Sequence, residues 1–463
     1  MEFKRPFSQI EWLSTPDPVR RYIEVLEQSI IHLTATVADL KDRTEKLEQK
    51  TSRNSQNSNQ PPSADLPFKK PEHKKKKAKK KPGGQKGHLG HRQQMLKPTK
   101  VLPVKPTECS CGSKKFIKVV PYYTHQQIEL PQIKLDVIHY ILHKGCCGQC
   151  GKTVAAKLTK EQRFGYGVRM SALVAELSGM QGTSRKAVQQ FLASVLDVSI
   201  STGTIQKVID RVTCAMEPAY EKIALNARSQ KVGYVDETSW FKQGKLHWLW
   251  VMVTNSAALF LVHPNRSRKA FDELVQRWQG ILVSDNYPLY QQWVNKRQNC
   301  LAHYIRKARA LSQSTNEQVA GFGEQILSML QQLCHFAKAP PGSQKWKNFY
   351  SQFLLLLMLY EGADDEAGQL ARSLSLAMDT LWVFLEEHGV DPTNNRSERA
   401  LRFGVIWRKR CFGSQSDKGT RWVERILSLK ETCRLKSKAS FPILIELTEA
   451  YFKEQQPNLA WIG

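Results

Sequence analysis

The stretch KVGYVDETSWFKQGKLHWLWVMVTNSAALFLVHPNRSRKAFDELVQRWQGILVSDNY, residues 231–287, sets the architecture of the chain. KVGYVDETSWF, LHWLWVMVT and AALFLVHP are three strand-like runs joined by short polar links such as QGK, as in an antiparallel meander. SRKAFDELVQRWQ then changes the period, with Ala270, Phe271, Leu274 and Trp278 on one helical face. GILVSD follows as a continuous apolar run that closes on an acid, the pattern of a buried strand beside that helix. Asp236 closes the first apolar run and Asp285 the fourth, so two carboxylates are expected at strand ends.

Three antiparallel strands, a helix and a fourth strand, with Asp on the first and fourth, is the order of a ribonuclease-H-like α/β fold. In that order the two acids become neighbours, and carboxylates so close repel unless a divalent cation lies between them. Two Mg²⁺ ions about 3.5 to 4 Å apart suit phosphoryl transfer, and a third acid is needed to complete the shell of the second ion. Glu398, in the helical segment TNNRSERALRF, is the choice; Arg399 and Arg402 follow it, where they could touch phosphate. A lone Asp after a strand is ordinarily a turn or cap residue, so the weight rests on the three acids together. Between Asp285 and Glu398 lies more chain than such a fold requires. Two apolar stripes, Val319, Phe322, Ile326, Leu330, Leu333 and Leu370, Leu374, Met378, Leu381, Leu385, mark a helical insertion. Cys300 and His303 fall at a strand-to-helix junction near the expected site, where a structural role is the plainer reading and contact of His303 with DNA the sharper one.

The composition points to a polyanionic partner. The 463 residues carry 69 Lys and Arg against 42 Asp and Glu, a formal charge of +27, and 14 of the basic residues fall between 69 and 105. DNA or RNA leads among such partners. Lys74, Lys75, Lys76, Lys77, Lys79, Lys80 and Lys81 would neutralise phosphates without reading bases. The surrounding Asn-, Ser-, Pro- and Gly-rich tract has almost nothing to bury and reads as a disordered linker, 51–105. Before it, Ile23, Leu26, Ile30, Leu33, Val37, Leu40 and Leu47 alternate at three and four residues. That is a heptad seam for self-association in 1–50, or else an amphipathic helix on its own domain. FLLLLMLY at 353–360 is too short to span a bilayer, and no signal-peptide core opens the chain, so a soluble intracellular (cytoplasmic, nucleoid-associated) protein is expected.

Five of the ten cysteines fall within 109–150. Cys147 and Cys150 form a CxxC knuckle, and Cys109 with Cys111 would complete a tetrahedral Zn²⁺ site in a small domain, 106–155, with β-like stretches around QQIELPQIKLDVIHYILH. Cys146 or a nearby His could substitute, because the first pair is CxC. Residues 160–228 read as helices with a helix-turn-helix-like pair, DNA-binding or simply structural. The remaining expected boundaries are a catalytic domain in 229–312 and 390–430, the insertion in 313–389 and a C-terminal helical tail, 431–463.

With these segments in view, the chain resembles the insertion sequence 66 family of bacterial DDE transposases. The leading coiled coil, NSQNSNQPPSAD with KKPGGQKGH, the cysteine knuckle, YVDET, LVSDNY, CLAHYIRKAR, NNRSERALR and CFGSQSDKGTRWVERILSLKETCR carry the resemblance in that order. It implies that Asp236, Asp285 and Glu398 are a DDE triad using Mg²⁺. The triad would cleave at the ends of an element and join the 3′ hydroxyls to target DNA. It also implies small accessory proteins as partners. The CxC pair and SDNYPLY depart from the family pattern. The alternative is a catalytically inactive, transposase-derived DNA-binding regulatory or architectural protein.

Overall fold

A computed structural model describes residues 8–51, 54, 57 and 94–463. A short helix α1 (Gln9–Ser14), closed by a Ser8–Glu11 capping box, leads into α2 (Asp17–Thr51). The seam residues Leu26, Ile30, Leu33, Val37, Leu40 and Leu47 are all exposed on α2. Residues 94–143 contain neither helix nor paired strand. The strands expected around 126–143 are therefore absent: Ile128, Leu130, Val137 and Ile141 stay exposed, with no partner edge to take their backbone and no surface to cover them. Only the short hairpin β1 (Lys144–Cys146) and β2 (Thr153–Ala155) forms there.

From residue 168 the chain is a mixed α/β body. Helices α3 (Val168–Ala175), α4 (Arg185–Leu196), α5 (Thr202–Ala215) and α6 (Glu217–Ser229) come first. Ser184 and Ser201 cap α4 and α5 by accepting from Ala187 N and Thr204 N at 3.2 and 3.1 Å. Ile205, Val208, Ile209 and Val212 bury one side of α5, while Lys207 near its start is exposed.

The sheet follows: β3 (Val232–Lys242), β4 (Lys245–Val253), β5 (Ala258–His263), helix α7 (Arg268–Val275), β6 (Ile281–Ser284), the short α8 (Pro288–Gln291) and β7 (Arg297–Asn299). Strand order is β5-β4-β3-β6-β7, antiparallel on the β4 side of β3 and parallel from β3 through β7. The β3–β4 hairpin turns on Gln243 and Gly244, with φ of 51° and 72°, the two left-handed residues of the tight turn whose twist matches its strands. Asp236 is not at a strand end: β3 runs on to Lys242 because β4 pairs with it along its whole length, whereas β6 pairs only with Val232–Tyr234.

After β7 comes α9 (Leu301–Leu311), within the expected catalytic segment 229–312, and then α10 (Glu317–Phe336), α11 (Ser343–Tyr360), α12 (Glu366–Leu376) and α13 (Val383–Glu386), the helical layer read as the insertion 313–389. Both apolar stripes serve it as core, with Phe322, Ile326, Leu330, Leu333, Leu374 and Leu381 fully covered. The chain returns as α14 (Asn395–Cys411), α15 (Asp417–Leu435) and α16 (Ser440–Phe452). The expected boundary at 430/431 falls inside α15, and 431–463 is no tail: Leu444, Leu447 and Ile462 join the same buried core as the sheet and α3–α6. Among the described residues, no helix is long and apolar enough to cross a membrane.

Helix α15 also finishes the sheet. Strand β5 is an edge, and its outward N–H groups would be exposed to pairing with foreign strands. Glu424, Ser428 and Thr432, spaced four apart on α15, accept from Val262 N, Phe260 N and Ala258 N at 2.8, 2.9 and 3.1 Å. The Tyr220 hydroxyl donates to Phe260 O at 2.8 Å. Burial pushes the Glu424 carboxyl up to about 7, against the pull of the Val262 N–H and Arg425.

The folded chain thus binds the Glu424 proton more tightly than the unfolded chain. Stability is expected to fall as pH rises from about 4.5 to about 7, by about 2–3 kcal/mol from this group. Denaturant titrations across that window should show Glu424→Gln with a flatter slope than the parent; equal slopes would assign the effect elsewhere.

Candidate active site

Tyr234 on β3 pairs with Val283 on β6. Asp236 lies two residues beyond that pair within β3, and Asp285 lies two beyond it just past the end of β6, which brings the two acids to the same end of the parallel pair. Asp236 is half-buried, and its carboxyl is held well above the usual range, first by burial and then by the charges of Glu237, Asp285 and Glu398. The three acids singled out in the sequence therefore share one electrostatic site. Asp285 Oδ1 accepts from Tyr287 N at 3.0 Å, which folds the SDNY turn around its carboxylate.

Glu398 arrives on α14, and Asn394 docks that helix. The Asn394 side chain donates to Val235 O at 2.8 Å, next to Asp236, and its backbone N–H donates to Cys300 Sγ at 3.1 Å. Glu398 N then donates to Asn394 O at 3.3 Å, so the acid sits one turn above the fastening. One Glu398 oxygen accepts from Arg306 of α9 at 3.0 Å, and the same oxygen is 4.0 Å from His303 Nε2. Burial and the Arg306 charge hold the His303 imidazole below its usual pKa, and its Nδ1 is buried without a partner. Cys300, His303 and Glu398 bring ligand-type atoms within 4.8 Å of one another, the one such group of three or more among the described residues. Burial pushes the Cys300 thiol up to about 12, so at neutral pH it is a thiol that accepts the Asn394 N–H.

Behind Asp236, on the other face of β3, lies a cluster that the sequence reading missed. The Glu237 side chain is 1% exposed, with one oxygen 2.7 Å from the Arg266 guanidinium and the other accepting from the Tyr290 hydroxyl. Burial raises the Glu237 carboxyl above its usual value against both partners. Arg266 also lies 3.9 Å from the centre of the Tyr287 ring, whose N–H holds Asp285. One guanidinium thus braces both the strand of Asp236 and the turn of Asp285. Glu237 stands beside Asp236 in YVDET, but its partners are 29 and 53 residues away, beyond any local pattern.

Arg399 and Arg402 are exposed on α14 beyond Glu398. The lysines of 74–81 lie outside the described residues. Cys109 and Cys111 form one close pair and Cys147 and Cys150 another; hydrogen bonding within each pair holds the Cys109 and Cys147 thiols below their usual pKa. Each pair sits on a turn closed by a glycine of positive φ, Gly112 at 84° and Gly151 at 70°, whose N–H donates to Cys109 O and Cys147 O at 2.8 Å. The four thiols do not form a single ligand group.

A family model described as Transposase IS66 family matches residues 163–421, more than half of the chain and all three acids. A second, described as a family of unknown function (DUF6444), matches residues 15–94. No curated protein matches the chain.

Tyr290→Phe leaves one buried Glu237 oxygen without its donor. A loss of about 1–3 kcal/mol in unfolding free energy is expected by denaturant titration, and no loss would show that Glu237 repartners.

Proposed function

The chain belongs to the IS66 family of transposases, and we propose that it cuts phosphodiester bonds at the ends of an insertion sequence and joins the freed 3′ hydroxyls to target DNA, with Asp236, Asp285 and Glu398 as its catalytic acids. The observation that supports this reading is the convergence of Asp236 on β3, Asp285 just past β6 and Glu398 on α14, where burial and the neighbouring acids raise the Asp236 carboxyl. Such repulsion makes the site a poor place for three bare carboxylates and a good one for divalent cations.

The donor set fits hard cations. Asp236, Asp285 and Glu398 would hold such ions through their carboxylate oxygens, and Asp236 feels the charges of the other two. Bound Mg²⁺ would polarise the phosphoryl group and lower the pKa of the attacking hydroxyl. The protein's own contribution is positioning. Arg306 compensates one Glu398 oxygen and fixes its rotamer, and Asn394 keeps α14 from sliding along β3. His303, neutral at pH 7, faces the Glu398 side of the site with a nitrogen that can exchange a proton or hydrogen-bond the scissile strand. Arg399 and Arg402 offer positive charge to the phosphates that follow.

Two further parts belong to the same reading. The exposed seam of α2 is a self-association helix, because six large apolar residues in heptad register are otherwise left in water. The two glycine-closed cysteine turns, which do not form a single ligand group here, would come together to hold one Zn²⁺, each already carrying a thiol of lowered pKa.

Asp236→Ala, Asp285→Ala and Glu398→Ala are each expected to lower Mg²⁺-dependent end cleavage and joining by at least about 10²–10³-fold while leaving DNA binding intact. Independently of turnover, Mg²⁺ should raise the parent's unfolding midpoint and leave that of Asp236→Asn unmoved. An Ala variant that joins ends normally would overturn the assignment. For the cysteine turns, Cys147→Ser should reduce zinc retained after dialysis, measured by elemental analysis.

A further inference from the structure

Strand β3 and helix α14 leave the carboxylates in the same direction and meet again at their far ends. There Lys242 bridges to Ser414, Ser414 N donates to Phe241 O at 2.8 Å, and Gln243 N donates to Ser414 O at 2.9 Å. The Trp240 indole N–H donates to the Ser414 hydroxyl at 3.2 Å from inside the core. Gly413 is pressed so closely on β3 that a Cβ there would lie 2.0 Å from Phe241 O. The turn that ends α14 is therefore fixed on both sides.

That turn holds Phe412 in an unfavourable state. Its backbone is left-handed, φ 56° and ψ 22°, in the position that closes a helix and ordinarily falls to glycine. Among the described residues, it is the one hydrophobic side chain with positive φ. The strain is not repaid by burial, because Phe412 is 77% exposed. Phe241 and its cross-strand partner Leu246 are also exposed beside the turn; Lys409 and Arg410 precede Phe412 on α14, and Lys245 faces Lys242, which pairs with Asp417. A strained, exposed aromatic beside basic residues is the composition of a nucleic-acid stacking platform or wedge, not of a core.

We propose that Phe412 is an aromatic wedge that inserts against the bases of the bound DNA duplex, about five to six base pairs from the phosphodiester held by the carboxylates. The spacing follows from the fold: Glu398 to Phe412 is fourteen helical residues, about 21 Å, and Asp236 to Phe241 is about 17 Å of strand. At about 3.4 Å per base pair this is about five to six steps. Arg399, Arg402 and Lys409 to Arg410 on the intervening helix carry the phosphates between the two points. The basic residues select the duplex over an apolar protein partner. The inference rests on the DNA-cutting reading above.

The experiment uses the full chain and a duplex bearing the terminal repeat that flanks the gene, at about 0.2 M salt to suppress nonspecific attraction. A 2-aminopurine is placed at each of the positions four to eight from the cut. Wild type and Phe412→Trp should brighten the probe near positions five and six. Phe412→Gly should leave it dark and weaken binding about 5- to 100-fold. The same glycine variant should unfold at a higher temperature than the parent, because it relieves the left-handed strain. A merely structural Phe412 would instead lower that temperature. If the parent cuts and joins while Phe412→Gly matches it in affinity and probe signal, the wedge is overturned and the transposase reading stands. If the parent neither binds nor cuts the duplex, the transposase reading falls and takes the wedge with it.

Discussion

Three residues of parallel pairing, Val232–Tyr234 against Ile281–Val283, carry the arrangement of this molecule. A parallel pair cannot close through a tight turn, so the chain between must leave the sheet, complete a hairpin and an outer strand, and return through α7. The register then decides the chemistry. One residue of slip would turn Asp236 or Asp285 to the opposite face, and the two would no longer meet. Trp278 sits over this join, donating through its indole to Gln230 O at 2.7 Å. Gly233 and Gly280 leave room for its ring where a Cβ would come within 3.0 Å of it.

The site is costly to hold, and the surrounding residues show how the cost is met. Asp236 is crowded by acids on its own face, while Glu237 on the other face is fully satisfied by Tyr290 and Arg266. Two adjacent carboxylates on one strand thus have opposite fates. One is locked as structure by its two partners, and the other is left among like charges. Asn394 joins this economy from the far end of the sequence, using a single side chain and its own N–H to tie α14 to β3 and α9.

Much of this was legible because it follows from short-range pattern. Period-two and continuous apolar runs announced β3, β4, β5 and β6, and 3.6-residue stripes announced α10 and α12. Asp236, Asp285 and Glu398 stood at the ends or starts of those patterns. What was missed depends on contacts across the chain. Arg266 and Tyr290 find Glu237 only once β5, α7 and α8 have folded around it. Arg306 looks like any basic residue on a helix until α14 brings Glu398 to it. The run QQIELPQIKLDVIHYILH has the composition of strands, but alternation states a preference and not a partner. The boundary at 430/431 failed for a related reason. The polar residues Glu424, Ser428 and Thr432 form the lid of a sheet edge that lies 162 to 174 residues earlier in the chain.

That lid has a consequence for how the protein is made. Strand β5 leaves the ribosome about 170 residues ahead of Thr432, an interval of about 8–35 s at ordinary rates of translation. Throughout it the nascent chain already carries Asp236 and the outer strand, but neither the helix that seals that strand nor, until late, Glu398. The sheet becomes safe from foreign strands and the three acids become complete within the same last stretch of synthesis. A polypeptide cut short before α15 would leave the β5 edge open to foreign strands, so the sheet is safe only once that helix has emerged.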